Sequence, residues 1–156
     1  AYGELLSGDP RAQAFAAKVK DVSEFLAGIE LNTRFGRLDR TVTYQEPCHL
    51  AHGQRIKQAP RDLLRAIPGV RLVEMKDSDR CCGSAGIYNI SQPELSHRIG
   101  QEKCANAAAT GATTVVSANP GCMIQLEAGL RERAYPAEVK HIVEILDDAY
   151  QAAEGG

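Results

Sequence analysis

The chain has 156 residues, a net charge of −2, 44% hydrophobic residues and 24% charged residues. This length allows one buried core, and this balance excludes a disordered segment and a polybasic nucleic-acid-binding surface. The apolar runs are far shorter than the roughly 20 residues that a membrane-spanning helix needs. The chain starts at Ala1 rather than Met, and we expect residues 1–156 to form a single domain of a longer chain.

Residues 1–40 are predicted to form a helical lead-in to this domain. Asp9-Pro10 provides the N-cap and first helical position of a helix, and Gly28 provides its end. Apolar residues recur at helical spacing between them and predict a face that packs on the core. These residues are Phe15, Val19, Val22, Phe25 and Leu26.

Residues 41–156 are predicted to form repeated strand–helix units. Short β-branched runs alternate with helical patterns whose ends are marked by proline or glycine, and Ser91-x-x-Glu94 has the form of a capping box. The alternation predicts an α/β fold with a mainly parallel sheet of about four strands flanked by helices. The predicted strands are 41–45, 70–75, 113–117 and 139–141, and the predicted helices are 54–67, 91–109, 119–133 and 142–152.

The five cysteines are too few and too unevenly spaced for a secreted disulfide scaffold, and they indicate metal or redox use in a reducing compartment. Cys48 follows the first predicted strand, Cys81 and Cys82 follow the second, and Cys122 follows the third. Because such loops share the carboxyl edge of a parallel sheet, these four thiols are predicted to converge. Cys104 lies within a predicted helix and is expected to be a packing residue.

Four converging thiolates suit zinc or an iron–sulfur cluster, since soft sulfur ligands select those metals. Structural zinc sites usually draw on Cys-x2-4-Cys pairs, and Asn119 stands where the first cysteine of such a pair would be. The adjacent Cys81 and Cys82 favour several irons over one ion, and His49 and His52 are expected to lie outside the ligand set. Residues expected to support a cofactor through the backbone or a cap are Gly83, Ser84, Gly86, Asn119 and Gly121.

Three motifs together resemble the CCG cysteine-rich domain: Pro47-Cys48-His49, Cys81-Cys82-Gly83 and Asn119-Pro120-Gly121-Cys122. That domain occurs in heterodisulfide reductases and in the iron–sulfur subunits of glycolate oxidase, lactate utilisation and anaerobic glycerol-3-phosphate dehydrogenase complexes. The stretches PCHLAHGQ, CCGSAGIYNISQPELS and NPGC are most similar to the glycolate oxidase iron–sulfur subunits. The resemblance extends over residues 10–152.

The resemblance implies a [4Fe–4S] cluster held by Cys48, Cys81, Cys82 and Cys122. The fullest form of the family motif ends in Cys-x-x-Cys, and Asn119 replaces the first of those cysteines, which argues against a cluster with five cysteine ligands. On this resemblance the domain transfers electrons, and no residue of the chain acts on the organic substrate.

The implied partners are a flavin-containing dehydrogenase subunit that oxidises a 2-hydroxy acid such as glycolate, and an upstream ferredoxin-type domain. The implied location is the cytoplasm, with peripheral association at the inner face of the membrane through those partners. Two alternatives stay open, a zinc-stabilised assembly domain and a thiol redox module like heterodisulfide reductase.

Overall fold

A computed structural model describes residues 2–155 and shows an α/β fold built on four parallel strands, which confirms the predicted fold class. The strands are β1 (Arg40–Tyr44), β2 (Val70–Leu72), β3 (Thr114–Ser117) and β4 (Glu138–His141). A π-helical segment (His49–Gln54) follows β1. The helices are α1 (Tyr2–Leu5), α2 (Pro10–Ala16), α3 (Val22–Ala27), α4 (Gln58–Arg65), α5 (Tyr88–Ser91), α6 (Pro93–Ala108), α7 (Pro120–Glu132) and α8 (Ile142–Glu154).

The strand order β2-β1-β3-β4 places the two central strands, β1 and β3, side by side. Their register pairs Val42 with Thr114 and Tyr44 with Val116. The chain leaves β1 toward one edge of the sheet and later continues from β3 toward the other edge. The carboxyl ends of β1 and β3 therefore flank the switch point at which open α/β sheets bind their ligands.

Both faces of the sheet are covered by helices. Val116 packs with residues of α4 and α8 on one face, whereas Val115 packs with residues of α6 and α7 on the other. This alternation explains why all four residues of β3 are buried, as the Thr- and Val-rich run predicted. No helix within residues 2–155 is both long and apolar enough to cross a membrane.

The N-terminal lead-in differs from its prediction. The single helix expected to end at Gly28 is instead two short helices, α2 and α3, each capped by an aspartate, Asp9 or Asp21. The Asp21 side chain accepts from the Ser23 N–H and starts a new helix, so the apolar residues no longer share one inward face. The prediction that this face packs on the core is wrong for four residues, which are exposed: Phe15, Val19, Val22 and Phe25.

Some predicted boundaries also shift. The predicted capping box at Ser91–Glu94 does not form. Ser91 is the last residue of α5, and the N-cap of α6, which starts at Pro93, is Gln92 instead. The helix expected from residue 54 begins at Gln58, after the π-helical segment, and β2 ends at Leu72. These shifts lengthen the connections that carry the cysteines and leave the order of the elements unchanged.

Candidate metal centre

Four cysteines lie beyond the carboxyl ends of the strands. Cys48 directly precedes the π-helical segment after β1, Cys81 and Cys82 lie in the connection from β2 to α5, and Cys122 lies in the first turn of α7. Hydrogen bonding to Cys82, together with burial, raises the pKa of Cys122, and charges on Cys48 and Cys81 add to the increase. The structure therefore brings these four thiols within electrostatic reach of one another.

Two interactions among these thiols are the strongest, that of Cys48 with Cys81 and that of Cys82 with Cys122. Burial, followed by the charge of Cys81, raises the pKa of Cys48. In the second pair, hydrogen bonding with Cys122 lowers the pKa of Cys82, so Cys82 gives up its proton more readily than Cys122 does. Within residues 2–155, no three or more His, Cys, Asp or Glu side chains are grouped so as to hold a single metal ion.

Gly83 shapes the loop that carries the adjacent cysteines. Its φ of 95° lies in the region that favours glycine, and a Cβ here would lie 2.5 Å from the Ser96 carbonyl oxygen of α6. The Ser96 hydroxyl donates to the Gly83 carbonyl at 2.8 Å, and the Gly83 N–H donates to Cys81 Sγ at 3.3 Å. The loop is thus held against α6 with a backbone donor directed at one sulfur.

Replacing Gly83 with alanine should lower the free energy of unfolding by about 3 kcal/mol, because the backbone would be strained and the Cβ would clash with a backbone oxygen. Gly86 is the matched control in the same loop: its φ is 54°, but no heavy atom lies within 4 Å of its Cβ position. Gly86→Ala should cost about 1 kcal/mol. Denaturant unfolding of both variants measures the difference, and equal losses would show that the contact with α6 is unimportant.

The start of α7 has the predicted form. Asn119 is the N-cap, Pro120 is the first helical residue, and Asn119 Oδ1 accepts from the Cys122 N–H at 3.0 Å. This places Cys122 in the first helical turn, where the helix dipole favours a thiolate. A Cβ on Gly121 would lie 3.5 Å from Ser84 Oγ, so the cysteine loop passes close to the start of α7.

Of the other residues that the sequence analysis named, Ser84 has a contact with a thiol. Ser84 Oγ lies 3.2 Å from Cys82 Sγ, whereas Gly86 is exposed and faces open space. His49 is exposed, and the His52 ring contacts the Asp79 carbonyl oxygen at 3.0 Å. The contact of Ser84 with Cys82 agrees with its predicted supporting role, whereas the position of Gly86 offers no support for the role predicted for it.

Cys104 lies in the core rather than at the site. It is fully buried in α6 and packs closely against α7, since a Cβ on Gly129 would lie 2.6 Å from Cys104 Sγ. Burial raises the pKa of Cys104 to about 11, which keeps it a neutral thiol. The fifth cysteine therefore fills the contact between two helices.

Sequence reasoning missed a buried ion pair beside the cysteine loops. Glu46 is only 4% exposed, and its Oε1 accepts from Arg61 at 2.6 Å and from the Ser78 hydroxyl at 2.7 Å. Glu46 lies two residues before Cys48, and Ser78 lies three residues before Cys81. The hydrogen bond between Glu46 and Ser78 therefore joins the two connections that carry these cysteines.

A cavity of about 400 Å³ opens beside Cys48 and Cys81. Lys103 of α6 lines the same cavity and is buried, with 2% of its surface exposed. Its amine donates to the carbonyl oxygens of Asp77, at 2.5 Å, and Ser78, at 3.1 Å. No motif of the sequence had indicated Lys103, whose partners lie on a different segment of the chain.

Residues 42–127 match the CCG cysteine-rich domain, and the matched span contains all four converging cysteines. The chain belongs to the CCG cysteine-rich domain family. This confirms the family resemblance that the three cysteine motifs carry.

Three curated relatives illustrate which proteins this chain is similar to. The "Probable glycolate oxidase iron-sulfur subunit" of Bacillus subtilis is 39% identical over 156 residues, which cover 95% of this chain and 35% of the relative. "Lactate utilization protein A" of Lysinibacillus sphaericus is 31% identical, covering 94% and 66%. A subunit of the fumarate reductase (CoM/CoB) of Methanothermobacter marburgensis is 34% identical, covering 95% and 30%. The chain thus spans from under a third to about two thirds of the length of these relatives.

Proposed function

We propose that this CCG domain holds an iron–sulfur cluster through Cys48, Cys81, Cys82 and Cys122 and relays electrons within an oxidoreductase complex. The observation that carries the proposal is the convergence of four thiols from three loops beyond the carboxyl ends of the strands. Soft sulfur ligands of this kind select iron–sulfur clusters or zinc. The name of the Bacillus subtilis relative, which describes an iron–sulfur protein, favours the cluster.

The arrangement of the donors also fits a cluster better than zinc. A tetrahedral zinc ion needs four ligands around one point, whereas the strongest interactions among these thiols are two separate ones, and two of the thiols belong to consecutive residues. Separate irons of one cluster can take separate thiolates, and the Gly83 N–H supplies a hydrogen bond of the kind that adjusts a cluster's potential. Four cysteines support a [4Fe–4S] cluster, and Asn119 caps α7 where a fifth ligand would stand.

When bound, the cluster supplies one-electron transfer, and the protein binds it and controls its surroundings. Cys82 and Cys122 are buried, which keeps water away from two of the sulfurs. Cys48 and Cys81 are partly exposed and line the cavity. Access to the centre is therefore from the Cys48–Cys81 side.

We propose that the chain is one domain of a longer iron–sulfur protein in a 2-hydroxy acid oxidase, with glycolate as the substrate class. A flavin-containing dehydrogenase and an upstream ferredoxin-type domain complete the complex, in the cytoplasm or at the inner face of the membrane through those partners. The 39% identity to the Bacillus subtilis relative, of which this chain spans 35%, supports this assignment. Relatives named for lactate utilization and fumarate reduction carry similar domains, so the partner protein determines the substrate.

The chain purified without oxygen should contain about four irons and four acid-labile sulfides, the stoichiometry of a [4Fe–4S] cluster. Chemical analysis of iron, sulfide and zinc measures the content, and electron paramagnetic resonance of the reduced protein identifies the cluster type. Stoichiometric zinc without sulfide would contradict electron transfer and support the zinc-stabilised assembly domain instead.

A further inference from the structure

Lys103 is a buried cation whose neighbours do not balance its charge. It lies in the interior of α6 with 2% of its surface exposed. Its amine donates to two backbone carbonyls, those of Asp77 and Ser78, and it forms no ion pair with a carboxylate among residues 2–155. Carbonyl oxygens are neutral, and a buried charge without an ionic partner costs free energy.

Negative charge from the metal centre and from two nearby aspartates, Asp79 and Asp77, acts on this amine. Burial lowers the pKa of Lys103, whereas the charge of Cys82, followed by that of Asp79, acts in the opposite direction. Lys103 also lines the cavity beside Cys48 and Cys81. An ammonium has three N–H donors, and the two carbonyls use two of them. A cation thus lies beside the place where the four thiols meet.

We propose that Lys103 is the fixed positive charge of the metal centre and raises the reduction potential of the cluster. This inference rests on the proposed function, since it requires a cluster at the four cysteines. A cluster held by four thiolates is anionic and gains a further negative charge when it takes up an electron. A nearby cation stabilises the reduced state more than the oxidised state, and the interaction is stronger in a buried environment than in water.

Lys103→Met removes the charge while keeping an unbranched side chain, and Lys76→Met is the matched control. Lys76 is exposed and adjoins Asp77, so both variants lose one positive charge near the same connection. In the 156-residue chain purified without oxygen, Lys103→Met should keep its iron and show a midpoint potential shifted to more negative values. Lys76→Met and Lys103→Arg should stay close to the wild-type potential.

An iron-loaded Lys103→Met variant with the wild-type potential would overturn the inference. A wild-type chain without iron and sulfide would instead refute the proposed function, so the two failures are distinguishable. If Lys103→Met does not fold, Lys103→Gln repeats the test with a neutral side chain that keeps an N–H donor. If neither Lys103→Met nor Lys103→Gln folds in the iron-free state, the inference is also overturned. The positive charge of Lys103 would then be required for folding rather than for the cluster. Loss of iron from the folded neutral variants would also overturn the inference, because Lys103 would then be needed to hold the cluster rather than to set its potential.

Discussion

Replacing Cys82 with serine should remove iron and sulfide from the protein almost completely, whereas Cys104→Ala should leave both in place. Cys82 is buried, interacts with Cys122 and has a lowered pKa through that hydrogen bond, so it is the thiol best prepared to bind metal. A serine hydroxyl is a hard, neutral ligand and a poor replacement for thiolate. Cys104 is equally buried, but it belongs to the core cluster that packs α6 against α7. Iron and sulfide per chain are measured after anaerobic purification.

Circular dichroism provides the control for folding in both variants. Cys104→Ala removes a packed sulfur and should cost about 1 kcal/mol of stability, which leaves the protein folded at room temperature. Cys48→Ser, Cys81→Ser and Cys122→Ser should each resemble Cys82→Ser. Full iron content in Cys82→Ser would show that the ligand set is wrong.

Replacing Arg61 with methionine should lower the free energy of unfolding by about 3 kcal/mol or more. Arg61 donates to Glu46 at 2.6 Å and to both carboxylate oxygens of Glu74 at 2.8 and 2.9 Å, and it lies over the Tyr44 ring. Without it, the Glu46 carboxylate would stay buried with only the Ser78 hydroxyl as a side-chain partner, and its Oε2 already lacks one. Breaking a buried pair from one side leaves such an uncompensated charge, which explains the size of the effect.

Arg65→Met is the matched control for Arg61→Met. Arg65 lies one turn further along α4, is exposed, and reaches Asp62 at 3.7 Å and Glu74 at 3.5 Å. Its loss should cost less than about 1 kcal/mol, since exposed ion pairs contribute little. Adding Glu46→Gln to Arg61→Met should recover part of the loss, because the unpaired charge is removed. Urea unfolding measures all three variants; no recovery in the double variant would assign the loss to packing of the Arg61 side chain.

Most of the sheet could be predicted because its signals are local. Three of the four residues from Thr114 to Ser117 are β-branched, and each strand is followed by a helical pattern with proline or glycine at its ends. The Asn119-Pro120 pair predicted the start of α7 correctly, since capping depends on the few residues around it. The prediction of a capping box at Ser91–Glu94 was wrong because Ser91 belongs to the preceding helix, α5. A four-residue motif carries no information about the residues before it.

The lead-in shows where local periodicity misleads. The spacing of Phe15, Val22 and Phe25 predicted one buried stripe, yet these side chains are exposed on two short helices. A hydrophobic period indicates which residues share a face only while the helix continues. Asp21 ends that continuity by capping a new helix, and the capping preference competes with the apolar pattern.

The sequence by itself determined the alternation of strands and helices, and with it the appearance of Cys48, Cys81, Cys82 and Cys122 after successive strands. Parallel strands share their carboxyl edge, so convergence follows from topology alone. The tertiary structure decided how the thiols pair and which charges surround them. Arg61 meets Glu46 across 15 positions, and Lys103 meets the Asp77 carbonyl across 26. No periodicity records such contacts, because they depend on how α4 and α6 pack against the connections that hold the cysteines.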